Sequence, residues 1–271
     1  MDQDLVSAAG LSWRGRPGYD WDWHADVGFL IGYTPEERET LVRTVFDRFY
    51  HHYGYYPRVV GSWILDAHTL RYLEDNYDID AAFICRDQWG TDGYTLWGGF
   101  WDGGYYPRRN NSFAPASRLD NQIDIPLFRM LGSDPLIQYD AGLTPPGWEP
   151  VGNQPVYTAE TVWQLGKDTG WIEWYLDHRF TDPNLPFRFV QLGQENSFGW
   201  SAMYLGYRRQ VLKVSERVEA GLIEVVPASE VGERFASRYV TTPAQSWIAA
   251  QPHAYAGSID GGVWYNGPRY R

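Results

Sequence analysis

Asp66, Asp87, Asp134 and Glu195 are the residues of this 271-residue chain best suited to chemistry. Each closes an apolar run and has polar company: Arg86 and Gln88 flank Asp87, Ser133 precedes Asp134, and Gln194 and Asn196 flank Glu195. Hydrolysis of a glycosidic bond needs two carboxyl groups across the scissile bond. They stand about 5–5.5 Å apart for retention and roughly 6.5–9.5 Å apart for inversion. Asp87 and Glu195 are the preferred pair, with Asp66, Asp134 and Arg86 positioning them. Arg86 beside Asp87 favours an ionised carboxylate, as a neighbouring cation does. Two bland alternatives stand beside this reading. Asp66 directly precedes a helical stretch and is placed to cap it, and an Arg86–Asp87 pair can simply tie a loop to its strand.

The stretch from Cys85 to Ser117 supplies the second ingredient. Between Arg86 and Pro115 it holds eight aromatic residues and six glycines, with no strand or helix periodicity. Loops of such length inside a domain are usually functional or disordered, and disordered segments are poor in aromatics. Flat rings beside Asp, Asn and Arg suit a ligand with apolar ring faces and a rim of hydroxyls, which is a sugar. Trp89, Trp97, Trp101, Tyr105 and Tyr106 are expected to form the platform. Gln88, Asp92, His24 and Asn196 are expected to reach the hydroxyls. The alternative is that the aromatics only hold the loop down on the core.

A metal centre is the weaker possibility. None of the six histidines forms an HExxH, HxH or HxxxH pattern. His24 lies in the run DWDWHAD, and a zinc site from Asp22, His24, Asp66 and Asp87 can be drawn, but no spacing demands one. No cofactor is therefore expected. Dinucleotide, phosphate-loop and GxSxG motifs are absent.

The elements that must position these residues alternate in type. RVVGSWILD (58–66), AAFICRD (81–87), IPLFRMLGSD (125–134), FRFVQLGQEN (187–196) and LIEVVPA (222–228) read as strands, with DVGFLIG (26–32) a weaker sixth. Helices are expected over 34–54, 68–77, 160–180, 202–220 and from Ser229, which is read as the N-cap of its helix. Thr34, Pro35 and Gly54 mark the ends of the first, and Gly221 closes the fourth. Such alternation predicts βαβ units, a parallel sheet and an α/β fold. The strand ends then deliver the four acidic groups to one rim. Five or six strands are too few for a full eight-stranded barrel. The expectation is a (β/α) barrel of seven strands, or an incomplete TIM-like one, over residues 1–242. Residues 243–271 are expected to open a β-rich segment. The chain reads as a fragment lacking early strands and a C-terminal β domain.

Composition excludes some partners. The formal net charge of −11 disfavours nucleic acid, whose binding rests on Lys and Arg neutralising phosphates. No run is long and apolar enough for a membrane span, and no signal peptide is evident, so a soluble chain is expected. Cys85, the single cysteine, has no partner for an internal disulfide and is read as a buried thiol. The expected partner is an oligo- or polysaccharide.

The segments VVGSWILDAHTLRYLEDNY, ICRDQWGTDGYTLWGG, YYPRRNNSFAPA and FRMLGSDPLIQYD resemble those of a group of bacterial proteins of unknown function. These look like members of the glycoside hydrolase/polysaccharide deacetylase superfamily of seven-stranded β/α barrels. The likeness covers roughly residues 20–200. It implies the barrel architecture and a carbohydrate-active hydrolase, with metal-dependent polysaccharide deacetylation or a non-catalytic sugar-binding barrel as the alternatives. The superfamily's Asp-Asp and His-x-x-x-His metal motifs are not found here, which weighs against deacetylation.

Overall fold

The computed structural model describes residues 2–15, 30–62, 64–84, 88–91, 94–96, 103–129, 173, 176–177, 179–181, 185–192, 200–252 and 259–269, the residues at 88–91, 94–96, 202–203, 247–252 and 259–263 through their backbone alone. Helix α1 (Gln3–Ala8) and a 3-10 turn (Leu30–Gly32) precede the long helix α2 (Pro35–Tyr53). The ends of α2 follow from local chemistry. Thr34 accepts from the Glu37 amide while the Glu37 side chain accepts from the Thr34 amide, a reciprocal capping box. Gly54 closes the helix with φ 80°, a left-handed turn that a side chain would resist. The 3-10 turn replaces the strand expected over 26–32, within its described part.

A four-stranded sheet forms the centre. Strand β1 (Val59–Ser62) runs parallel to β2 (Ala81–Ile84), joined through helix α3 (Ala67–Asn76). The expected strands at 58–66 and 81–87 are present in their described parts, as is the helix at 68–77. Beyond β2, the described parts of the segment expected to be irregular are instead folded into short pairs. Gln88–Thr91 (β3) pairs with Tyr94–Leu96 (β4), and Pro107–Arg108 (β6) with Asn111–Pro115 (β7). Gly104–Tyr105 (β5) joins the central sheet antiparallel to Leu127–Arg129 (β8), which is itself parallel to β2. The order across the sheet is β1-β2-β8-β5. This mixed α/β sheet is the observed fold, and a closed barrel is not seen among the described residues.

Side chains alternate between the two faces of the sheet. Ala82, Ile84, Leu127 and Tyr105 share a core with Val42 and Phe46 of α2 and Leu70 and Leu73 of α3. Ala81 and Phe128 point the other way, toward Phe187, Phe189, Leu176 and Phe235. Phe128 stacks on Phe83 at 5.4 Å and meets the edges of Phe189 at 5.0 Å and Phe235 at 5.5 Å. Such edge-to-face and offset contacts suit the charge distribution of aromatic rings. Gly104 makes this cluster possible, because a Cβ there would lie 2.6 Å from Phe128 and 2.9 Å from Phe235.

Two expected strands are not formed within their described parts. Residues 187–192 pair with no strand among the described residues, because Phe187 and Phe189 insert into the phenylalanine cluster. Residues 222–227 are also unpaired; Leu222 and Val225 are 70% and 73% exposed, so no apolar gain holds them in a ladder. Helix α4 (Trp200–Glu219) leads into them through Gly221, φ 69°. Helix α5 (Ala228–Arg238) begins two residues earlier than expected, with Pro227 rather than Ser229 at the cap position. The described residues between 173 and 181 are helical, as the 160–180 reading requires. Gln245–Pro252 (β9) and Ile259–Asn266 (β10) form an antiparallel hairpin in the segment expected to be β-rich. No helix among the described residues is long and apolar enough to cross a membrane.

Candidate functional site

The parallel strands define one edge of the sheet. Ser62 lies across from Ile84, and Ile84 from Arg129, so β1, β2 and β8 end in a single row. The residues that follow in sequence are Trp63 to Asp66, Cys85 to Asp87 and Met130 to Asp134. In open parallel sheets this carboxyl edge is where ligands bind. The sheet register thus brings the exits of three acid-bearing segments to one side of the molecule.

Asp66 is the one acidic candidate inside the described residues, and its oxygens are occupied. It caps α3: Oδ1 accepts from the Thr69 amide at 3.0 Å and Oδ2 from the Thr69 hydroxyl at 2.6 Å. Arg38 of α2 pairs with Oδ1 at 2.9 Å. That guanidinium is itself aimed by the carbonyls of Tyr33 at 2.7 Å and Ile31 at 3.2 Å. Burial pushes the Asp66 carboxyl up, but the Thr69 hydrogen bonds and the Arg38 charge outweigh it and hold it below the usual carboxylate range. Asp66 is therefore a structural cap and ion-pair partner. Asp22, His24 and Asp87, the other members of the zinc set drawn with Asp66, lie outside the described residues. No cluster of metal-binding side chains occurs among the described residues.

Tyr105 and Tyr106 are corrected from platform to core. Tyr105 is fully buried and its hydroxyl donates to the Ser112 carbonyl at 2.7 Å. Tyr106 is 4% exposed and donates through its hydroxyl to the Tyr239 carbonyl at 2.8 Å. Buried tyrosines usually find such a partner for the hydroxyl. Desolvation, with a smaller push from Asp124, drives the Tyr106 phenol up to about 12. Neither ring face is open to a ligand, because Tyr105 on β5 and Tyr106 just after it are taken up by the cores on the two faces of the sheet.

These two tyrosines belong to an arm running from Gly104 to Asp124 that is fastened at several points. The Tyr106 amide donates to Thr242 Oγ1 at 2.9 Å, and Gln122 Nε2 donates to the Val240 carbonyl at 2.9 Å. Glu74 of α3 accepts from Arg109 Nη1 at 2.8 Å and from the Asp124 amide at 2.5 Å. For this part of the long aromatic segment, holding the loop to the core is the right reading.

Arg129 is the residue that sequence reasoning passed over. It ends β8 at the carboxyl edge, is 2% exposed, and sets its guanidinium 5.4 Å from the Phe113 ring centre. A buried cation needs compensation, and this one ends a strand at the candidate rim. The signal was a single charge inside the otherwise apolar run IPLFRML, which was read only as a strand. Gln88 and Trp89 lie on β3, which follows directly from the β2 exit. Arg86, Asp87, Asp134, Glu195 and Asn196 fall outside the described residues, as do His24, Asp92, Trp97 and Trp101.

Comparison with known structures agrees with this architecture. The chain superposes on the crystal structure of a "putative glycoside hydrolase/deacetylase" from Parabacteroides distasonis with a TM-score of 0.64 at 17% identity. The match covers 86% of this chain and 56% of that one. The chain therefore spans little more than half the length of the protein it matches. The fold likeness expected from the sequence, to a protein described as a glycoside hydrolase/deacetylase, is present. No protein-family model matches the chain, and no curated protein matches it.

Proposed function

We propose that this chain is the barrel-type domain of a carbohydrate-active hydrolase whose reacting groups stand at the carboxyl edge of β1, β2 and β8. The observation that carries the reading is the common register of Ser62, Ile84 and Arg129, directly before the segments bearing Asp87 and Asp134. The fold shared with the Parabacteroides distasonis protein supports it. In this reading the strands close, with further elements, into the seven-stranded β/α barrel.

Asp87 and Glu195 act across one glycosidic bond. Arg86 adjoins Asp87 and favours its ionised form, which fits Asp87 as the attacking or water-activating carboxylate and Glu195 as the proton donor. Arg86 and Asp134 position the pair. Trp89, Trp97 and Trp101 present ring faces to the sugar, while Gln88, Asp92, His24 and Asn196 address its hydroxyls.

Turnover of a panel of oligo- and polysaccharides tests the assignment. Asp87→Asn and Glu195→Gln should each lower turnover about a hundredfold or more, the usual worth of a positioned acid or base. Wild-type rates in both variants would overturn the assignment. Binding without any turnover by the parent chain would favour a sugar-binding barrel instead. A second reading, deacetylation, is prompted by the printed description of the Parabacteroides distasonis protein. It predicts acetate release from an acetylated polysaccharide and loss of that activity with a chelator, and a chelator-indifferent release of reducing ends would dismiss it.

A further inference from the structure

At the opposite edge of the sheet, the last turn of α2 and the loop after it carry the run Tyr50-His51-His52-Tyr53-Gly54-Tyr55-Tyr56, every residue of which is exposed. Tyr50, Tyr53, Tyr55 and Tyr56 are 48%, 56%, 59% and 42% exposed. Large rings left in water in one contiguous patch mark a binding surface more often than an idle one.

The patch is prearranged. Gly54 turns the chain back on the helix, its amide donating to the Tyr50 carbonyl at 2.7 Å. Tyr56 is thereby laid against Tyr50 at 4.8 Å, and Tyr55 against Phe49 at 5.6 Å, with Phe49 also 4.5 Å from Tyr53. Beneath them, Tyr56 rests 5.4 Å from Tyr77, whose ring packs 4.1 Å from the buried Phe46. Rings already held by their neighbours lose little freedom when a ligand lands on them.

The chemistry of the patch selects its ligand. The seven residues include no Lys, Arg, Asp or Glu, although 21% of the whole chain is charged. They also include no aliphatic side chain. Every exposed ring is a tyrosine with its hydroxyl beside an apolar face, and two imidazoles adjoin them. Tyrosine also serves protein interfaces, so a protein partner is the alternative outcome that the test separates; an acidic ligand would be better met by cations. A neutral sugar chain, with apolar ring faces and uncharged hydroxyls, matches both properties.

We propose that the Tyr50–Tyr56 run is a surface binding site for a neutral polysaccharide, separate from the candidate reaction edge. The run leads through Pro57 and Arg58 into the start of β1, and Tyr77 stands just before β2. It therefore lies at the amino edge, one strand length from the row of Ser62, Ile84 and Arg129. The choice of a sugar chain extends the carbohydrate reading but requires no chemistry from Asp87 or Glu195.

Affinity electrophoresis of the full chain through gels containing soluble β-glucan, amylopectin, galactomannan or the acidic polymer alginate provides the test. At least one neutral polymer should retard the protein, and alginate should not. The double substitution Tyr53→Ala/Tyr55→Ala should weaken that retention about tenfold, the scale of losing buried aromatic anchors. Tyr53→Phe/Tyr55→Phe should keep most of it, showing that ring faces carry the contact. Both pairs sit on the surface, and circular dichroism checks that they fold. Unchanged retention in the alanine variant, or no retention by any neutral polymer, overturns the proposal. So does a change from dimer to monomer in the alanine variant without sugar retention, which would make the patch a protein interface. Glu195→Gln should leave retention intact, so failure of the reaction-edge reading is read in turnover and failure of this one in binding.

Discussion

Asp66 illustrates how a carboxylate at a strand exit can be fixed by duties that have nothing to do with substrate. Its two oxygens serve the Thr69 amide, the Thr69 hydroxyl and Arg38. Asp66→Ala should cost about 2 kcal/mol, combining the loss of an N-cap with a half-buried Arg38 left without its partner. Asp66→Asn keeps a good cap and should cost less. The pH dependence has a defined sign. The folded carboxyl ionises below its unfolded value of about 4, so its contribution is present above that pH and fades as pH falls through the folded pKa. Thermal melts between about pH 6 and pH 3 should therefore show a loss in the wild type that Asp66→Asn lacks. Equal slopes in the two proteins would contradict this account. The capping role of Asp66 was readable from its place before a helical run. Burial of Tyr105 and Tyr106 was not, because it depends on a strand pairing with residues some twenty positions later.

At the scale of elements, the contact between α5 and β2 is the most sensitive to a single atom. Gly232 faces the sheet so closely that a Cβ would lie 2.1 Å from the Asp80 carbonyl oxygen and 2.9 Å from Ala81 Cβ. Alanine normally improves a helix interior by about 1 kcal/mol relative to glycine. Here the sign should reverse, since the helix must back away from the strand, and overpacking typically costs 1–3 kcal/mol. Urea unfolding of Gly232→Ala measures it, and an unchanged or higher midpoint would show that α5 can shift freely. Elements with local signals were the legible ones. Thr34, Pro35 and Gly54 frame α2, and Gly221 closes α4, because capping acts within a few residues. Residues 187–192 and 222–227 have the composition of buried strands, but a strand exists only when a neighbour supplies the ladder. The short pairs β3/β4 and β6/β7 went unread for the converse reason, since two or three paired residues leave no periodicity to detect.

The whole molecule is organised around aromatic contacts on both faces of the sheet, and two of its phenols report on that packing. Tyr77 and Tyr106 are both pushed up to about 12, chiefly by desolvation. A phenol whose folded pKa exceeds its unfolded value contributes stability that is complete below about pH 10. That contribution is lost as pH rises through the folded value. Absorbance titration at 295 nm should therefore show a late ionisation near 12, and its absence from Tyr106→Phe would assign part of it. If every described tyrosine ionised near 10, the packing around these rings would be looser than described.

The arm between β2 and β8 also has a consequence for synthesis. A parallel pair is commonly bridged by a helix that can form on its own, whereas this bridge is held by Thr242, Tyr239 and Val240, more than a hundred residues downstream. Phe235, from the same late region, fills the cluster around Phe128. A ribosome that has delivered β1, β2 and β8 has therefore produced strands without the residues that seal them. Closure of such distant contacts is entropically slow, and the exposed intermediate is the kind that associates with its neighbours. The growing chain must wait for α5 and the segment behind it to emerge before this sheet can seal, an interval in which a holding chaperone would matter.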